Sequence, residues 1–245
     1  MMKQTIYSAG LALLFLTPIA VGATTSQADS PDDWKVKVDL GASIASGNTD
    51  TTLVTAGFRA DRKVSKDIYS LGASFAWGEE DGDTTSQSVL ADASWNYART
   101  ERTYFGLRLD GRHDNLADID YRVSLSALAG YFLIKKEKTH LSFEGGPAIT
   151  FEEVGEESDE YLTIYLGEKF EHAFSDDTSV YQTVKVFIPV DDFNDFNVVL
   201  EAGLETKLTE KLNFKVSIEN KYENEPAAGS TENDFRLITG LSYSF

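Results

Sequence analysis

The side chains best suited to acid–base chemistry near neutral pH are three histidines, His113, His140 and His172. His140 and Ser142 stand two apart in His-Leu-Ser. On a strand that spacing puts both on one face, where an imidazole could take a proton from a hydroxyl. A serine nucleophile also needs a group that orients its base, and no such third residue is evident. His113 sits between Arg112 and Asp114, and His172 ends a strand near a turn, so both read as structural. There is no cysteine, which excludes disulfides and thiolate metal sites. No metal-ligand spacing occurs. The acidic run Glu-Glu-Val-Gly-Glu-Glu-Ser-Asp-Glu from residue 152 lacks the residue order of a calcium loop. Catalysis, cofactors and metals are therefore not expected, and a net charge of −18 excludes the basic footprint of a nucleic-acid binder.

The elements that carry these residues are strands. From about residue 34 the chain repeats one unit: an alternating stretch, a turn, and another alternating stretch. Short turns at 61–67, 97–103, 134–140, 174–180 and 207–212 separate hairpins whose other ends are the connections 46–50, 78–85, 113–120, 152–161, 190–195 and 223–234. Counting strands between them predicts about twelve in a single all-β, antiparallel transmembrane barrel with short turns at one rim and longer acidic loops at the other. The mean hydropathy of −0.26 does not argue against a membrane, because alternating apolar and polar residues average to mild polarity.

Side-chain parity assigns the two faces. Val36, Val38, Leu40, Ala42 and Ile44 share one side of the first strand; Phe235, Leu237, Thr239, Leu241, Tyr243 and Phe245 share one side of the last. Rings cluster at the ends of these apolar faces. Trp34, Tyr69, Trp95, Tyr131, Tyr243 and Phe245 stand near the short turns, and Trp77 and Tyr121 near the other rim, as two interfacial belts would require. The opposite parity carries the charges expected to line a lumen. Its cations are Arg59, Arg108, Arg112, Arg122, Lys185, Lys215 and Arg236, and its anions Asp92, Asp110, Glu144, Glu201 and Glu219. Such a mixed-sign interior fits either a narrow wet path of weak selectivity or a salt-bridged filling that holds the wall together. In the eighth strand Glu168 shares parity with Leu162, Ile164 and Leu166, which predicts a bulge or a strand-end position. The acidic connections, with Asp114 and Glu152 among their residues, read as a solvated rim or as a surface attracting cations and lipopolysaccharide.

The termini set the expected compartment. Residues 1–23 read as a cleaved signal peptide, with Lys3, an apolar run and Val-Gly-Ala before the cut. Residues 24–33 read as a short periplasmic stretch, and 34–245 as the barrel. The final strand, ending in Phe245, resembles the signal by which the barrel-assembly machinery recognises outer-membrane proteins.

Several segments carry a family resemblance: Gly-Ala-Ser-Ile-Ala-Ser-Gly-Asn-Thr-Asp-Thr at 41–51, and the stretches 78–85, 117–131, 170–184 and 222–245. Over nearly the whole chain after the signal, the sequence resembles the YdiY-like family of salt-induced outer-membrane proteins, a domain of unknown function. The resemblance implies a twelve-stranded barrel in the outer membrane of a Gram-negative bacterium and a link to salt or osmotic stress. It implies no substrate, cofactor or catalytic residue.

Overall fold

Twelve strands follow one another: β1 (Lys35–Ala45), β2 (Thr51–Val64), β3 (Asp67–Glu80), β4 (Asp83–Ala98), β5 (Thr103–Asp114), β6 (Ile119–Lys136), β7 (Thr139–Val154), β8 (Glu157–Ala173), β9 (Thr178–Pro189), β10 (Asn197–Lys207), β11 (Leu212–Glu223) and β12 (Asn233–Ser244). Each pairs antiparallel with its chain neighbours, and β1 pairs with β12, closing the barrel. The computed structural model describes residues 33–45, 51–155, 157–227 and 230–245. Residues 1–23, which the sequence reads as a signal peptide, most of the stretch after them, and the 46–50 connection lie outside the described residues.

The two-residue period is visible in burial. Along β12, Phe235, Leu237, Thr239, Leu241 and Tyr243 are exposed, while Arg236 and Ser242 between them are buried. Exposed apolar residues on the outside and covered polar ones on the inside are the reverse of a soluble core, and suit a wall with lipid on one side. The closing seam is the shortest pairing. Five residue pairs join β1 to β12, from Lys37–Ser244 to Gly41–Gly240, whereas every other neighbouring pair is in register over ten or more. Gly240 is needed there, since a Cβ would meet the Leu40 carbonyl oxygen at 2.2 Å.

The short turns repeat one device. In 99–102, 174–177 and 208–211 the second residue, Thr100, Ser175 or Thr209, accepts a bond from the backbone N–H that opens the next strand, at 3.0, 3.1 and 3.0 Å. This satisfies a donor that the ladder leaves open. At the other rim, the acidic segment 78–85 is largely wall. Strands β3 and β4 run on to a two-residue tip, Asp81 (φ 51°) and Gly82 (φ 92°), whose positive φ values suit a tight hairpin.

Two sequence expectations need correction. The eighth strand has no bulge: β8 keeps unbroken register with β7 and β9. Register shifts fall instead at Gly78/Glu79, Arg112/Asp114, Ile119/Tyr121 and Phe132/Ile134. Glu168 stays on the outer parity and accepts a bond from Gln182 Nε2 at 3.1 Å. A shift of one residue would have turned every later side chain of the strand to the wrong face, a larger cost than bonding one carboxylate. Asp114 and Glu152, expected in the solvated rim, are buried strand residues facing inward. The strands extend further toward the long-loop rim than the charge pattern suggested.

Candidate functional site: the charged lumen

Ion pairs between strands that are not neighbours can form only across the interior. They stack in three levels between the long-loop rim and the short turns.

At the long-loop mouth, cations and anions from β5, β6, β7, β11 and β12 interlock. Glu223 on β11 accepts from Arg112 on β5 and, at 2.8 Å, from Arg122 on β6, so opposite walls are tied together. Arg122 also binds Glu152 on β7. Lys221 Nζ donates to Asp114 at 3.0 Å and to Ser88 Oγ at 3.1 Å. Arg236 donates to the same Ser88 at 3.1 Å, to Glu219 at 3.0 Å and to Asp234 at 2.6 Å. The side chain of Lys221 is 1% exposed and that of Asp114 is 4% exposed, so the centre of this layer is nearly closed to water, while Asp234 at its edge stays exposed. One donor, Arg112 Nε, has no partner in this network. Asp195, in the loop between β9 and β10, stands over the layer. Burial pushes its carboxyl up to about 6; Arg122 opposes this, and Glu152, Glu223 and Glu225 reinforce it.

The middle level joins charge to rings. Arg108 donates to Asp110 at 2.7 and 3.0 Å and lies 3.4 Å from Asp92. Lys185, on β9, reaches Asp110 at 2.8 Å and Asp92 at 3.6 Å. Glu144 accepts two phenols, Tyr104 at 2.8 Å and Tyr165 at 2.7 Å. Tyr104 tilts against Phe132 and Tyr165 against Phe187, and with Leu128 and Ala148 they fill the β5–β9 side. Between this level and the mouth, a buried hydroxyl ladder runs from Ser124 to Thr150 to Thr163 at 2.8 and 2.9 Å.

Toward the short turns the lumen opens. Lys215 bridges Asp39 and Glu201, each at 3.3 Å. Lys37 binds Glu205 at 2.6 Å with its own side chain 41% exposed. Arg59–Asp61 and Lys169–Glu171 are exposed pairs at 3.3 and 3.0 Å. Lys37, Arg59, Lys169 and Glu201 are exposed as well as paired, and line a wet vestibule; Lys215 and Glu205 are more covered.

The charges named from sequence thus divide by level. Arg112, Arg122, Glu219 and Arg236 enter the mouth; Asp92, Arg108, Asp110, Glu144 and Lys185 form the middle; Arg59, Glu201 and Lys215 line the vestibule. Sequence reasoning left out Lys221 and Glu223, which close the mouth. Their parity with Lys215 and Glu219 on the same strand was the available signal. The interface rings stand on the outer face: Trp34, Tyr69, Trp95, Tyr121, Tyr131, Tyr243 and Phe245 are exposed and Trp77 is half-buried. Trp95 Nε1 donates to Asp67 at 2.8 Å. His140 and Ser142 face inward beside a short turn. His113 bonds the Asp120 carbonyl at 2.7 Å, and His172 the Thr139 hydroxyl at 2.8 Å.

No curated protein sequence matches the chain. Among solved structures it is similar to the NanC porin, at 6% identity and a TM-score of 0.54, over 87% of this chain and 100% of that one. It is also similar to the KdgM porin, at 9% identity and 0.47, over 87% and 99%. A third is the translocator domain of the autotransporter NalP from Neisseria meningitidis, at 14% identity and 0.46, over 86% and 88%. The first likeness shows the fold, a porin-like barrel of the outer-membrane type. The family described as "Protein of unknown function, DUF481" matches residues 38–245, and the chain belongs to it.

Proposed function

We propose that this barrel is an outer-membrane channel for small ions, held shut at its outer mouth and open to the periplasm through a charged vestibule. One observation carries the reading: Glu223 on β11 binds Arg112 and Arg122 on the facing wall, and all three side chains are nearly buried. The short turns are periplasmic in this reading, as in bacterial barrels generally, and the exported chain loses residues 1–23. Passage requires those bonds to part. The mixed charge of the lumen then gives weak selectivity, because among the described residues no ring of one sign is present to impose it.

The test is single-channel conductance of the refolded chain in a planar bilayer, compared with Glu223→Ala/Arg112→Ala. Near silence from the parent and discrete steps from the double variant support a shut channel. Silence from both favours a second reading, a non-conducting barrel that engages cations or lipopolysaccharide through its rim. The exposed carboxylates Glu80, Asp83, Asp159 and Glu160 favour that reading. Repeating the recording across ionic strengths tests the implied link to salt stress. Recognition of β12 by the assembly machinery belongs to the same proposal, as does the absence of a catalytic role for the inward-facing His140 and Ser142.

A further inference from the structure

The outer wall carries a hollow that neither reading uses. Its volume is about 410 Å³, and it lies on the membrane face of β5–β8 close to the short turns. It exists because the β6–β7 register sets Ala129 against Gly145, two of the smallest residues, at one height. Phe105, Tyr131, Phe143 and Leu166, all exposed, stand around that floor. Behind it Tyr104 and Glu144 complete the wall, so the hollow faces lipid and does not lead into the wet vestibule.

Directly below the hollow is a cationic rim. The turn 97–103 carries Arg99 and Arg102 against Glu101, and the turn 134–140 carries Lys135, Lys136 and Lys138 against Glu137. Lys135 Nζ donates to the Glu101 carbonyl at 2.6 Å, which brings the cations of the two turns together. The next short turn past the hollow, 174–180, has Asp176 and Asp177 and no cation, so the positive charge beneath the hollow ends on that side. From Arg102 to Phe105 the chain climbs three residues, roughly 10 Å at the rise of a strand. That depth separates a headgroup at the interface from a chain within the hydrocarbon.

We propose that this face binds one anionic glycerophospholipid of the periplasmic leaflet, with an acyl chain in the hollow and its phosphate held by Arg102 and Arg99. The apolar walls supply chain burial and the rim supplies charge complementarity in a protein that is otherwise strongly acidic. Being on the outside of the wall, the site stands or falls independently of the channel reading.

Native mass spectrometry of the full chain, released from nanodiscs of phosphatidylglycerol or phosphatidylcholine, tests it. Three variants are compared: Ala129→Phe fills the hollow, Arg99→Gln/Arg102→Gln removes rim charge from an exposed turn, and Ala73→Phe adds a ring to the outer face of β3. Heat-modifiable migration checks that each is folded. The parent is expected to retain one phosphatidylglycerol. Ala129→Phe should lower that retention about tenfold, the double Gln variant several-fold, and Ala73→Phe not at all. Equal retention by Ala129→Phe and Ala73→Phe, or equal retention of phosphatidylcholine, overturns the proposal. The double Gln variant keeps the test valid if Ala129→Phe does not fold.

Discussion

The two ends of the lumen use the same residue types in opposite ways. At the long-loop mouth, Arg112, Arg122, Lys221 and Arg236 are nearly sealed from water and each has carboxylate partners, some from the facing wall. At the short-turn end, Lys37, Arg59 and Lys169 bind carboxylates while remaining 41–52% exposed. The difference teaches that inward parity does not fix what a charge contributes. A charge removed from water must keep its partner, because the lone survivor bears the desolvation cost. A wetted charge is solvated whether or not its partner remains, and its pairing adds little.

The largest effect that comparison predicts is at Glu223. Glu223→Ala leaves Arg112 and Arg122 buried with one fewer carboxylate between them, and should cost about 3–5 kcal/mol. Urea titration followed by the heat-modifiable band measures it, and a loss below 1 kcal/mol would break the distinction between the two ends. Lys185→Met, in the middle level, removes the cation shared by Asp110 and Asp92, which still keep Arg108; about 1.5–3 kcal/mol is expected in the same assay.

A smaller effect depends on pH. An unfolded Asp titrates near 3.9, whereas Asp195 over the mouth titrates at about 6 in the folded barrel. The folded state therefore holds this proton more tightly. The stabilisation is fully present below about pH 4 and is lost as pH rises through 6. Partial exposure discounts it to about 1 kcal/mol between pH 4 and 7. Asp195→Asn should flatten that part of the stability curve, and an unchanged curve would remove Asp195 from the mouth's electrostatics. The smallest effect is at the vestibule: Arg59→Gln should change stability by no more than about 0.5 kcal/mol, because both members of its pair with Asp61 are exposed and water replaces the lost partner.

Much of the wall is legible from sequence because the strand period is two and one face must suit lipid. Leu237, Leu241 and Tyr243 could face only outward once Arg236 and Ser242 faced in. The acidic runs misled where charge was taken as a marker of loop. Asp114 and Glu152 look like solvated rim residues until the cations that bury them, Lys221, Arg112 and Arg122, are brought alongside. Likewise Glu168 looked like a register break and is a bonded outward carboxylate.

The sequence by itself determined the number of strands, their turns and the face on which nearly every side chain stands, since these follow from local alternation and turn chemistry. Only the tertiary structure decided which charges meet. Arg112 and Glu223 are 111 residues apart, and no local pattern relates them. Closure of the sheet through the short β1–β12 seam carries β5 and β6 opposite β11. The barrel's curvature then sets which level lies within side-chain reach across the lumen and which stays open to water.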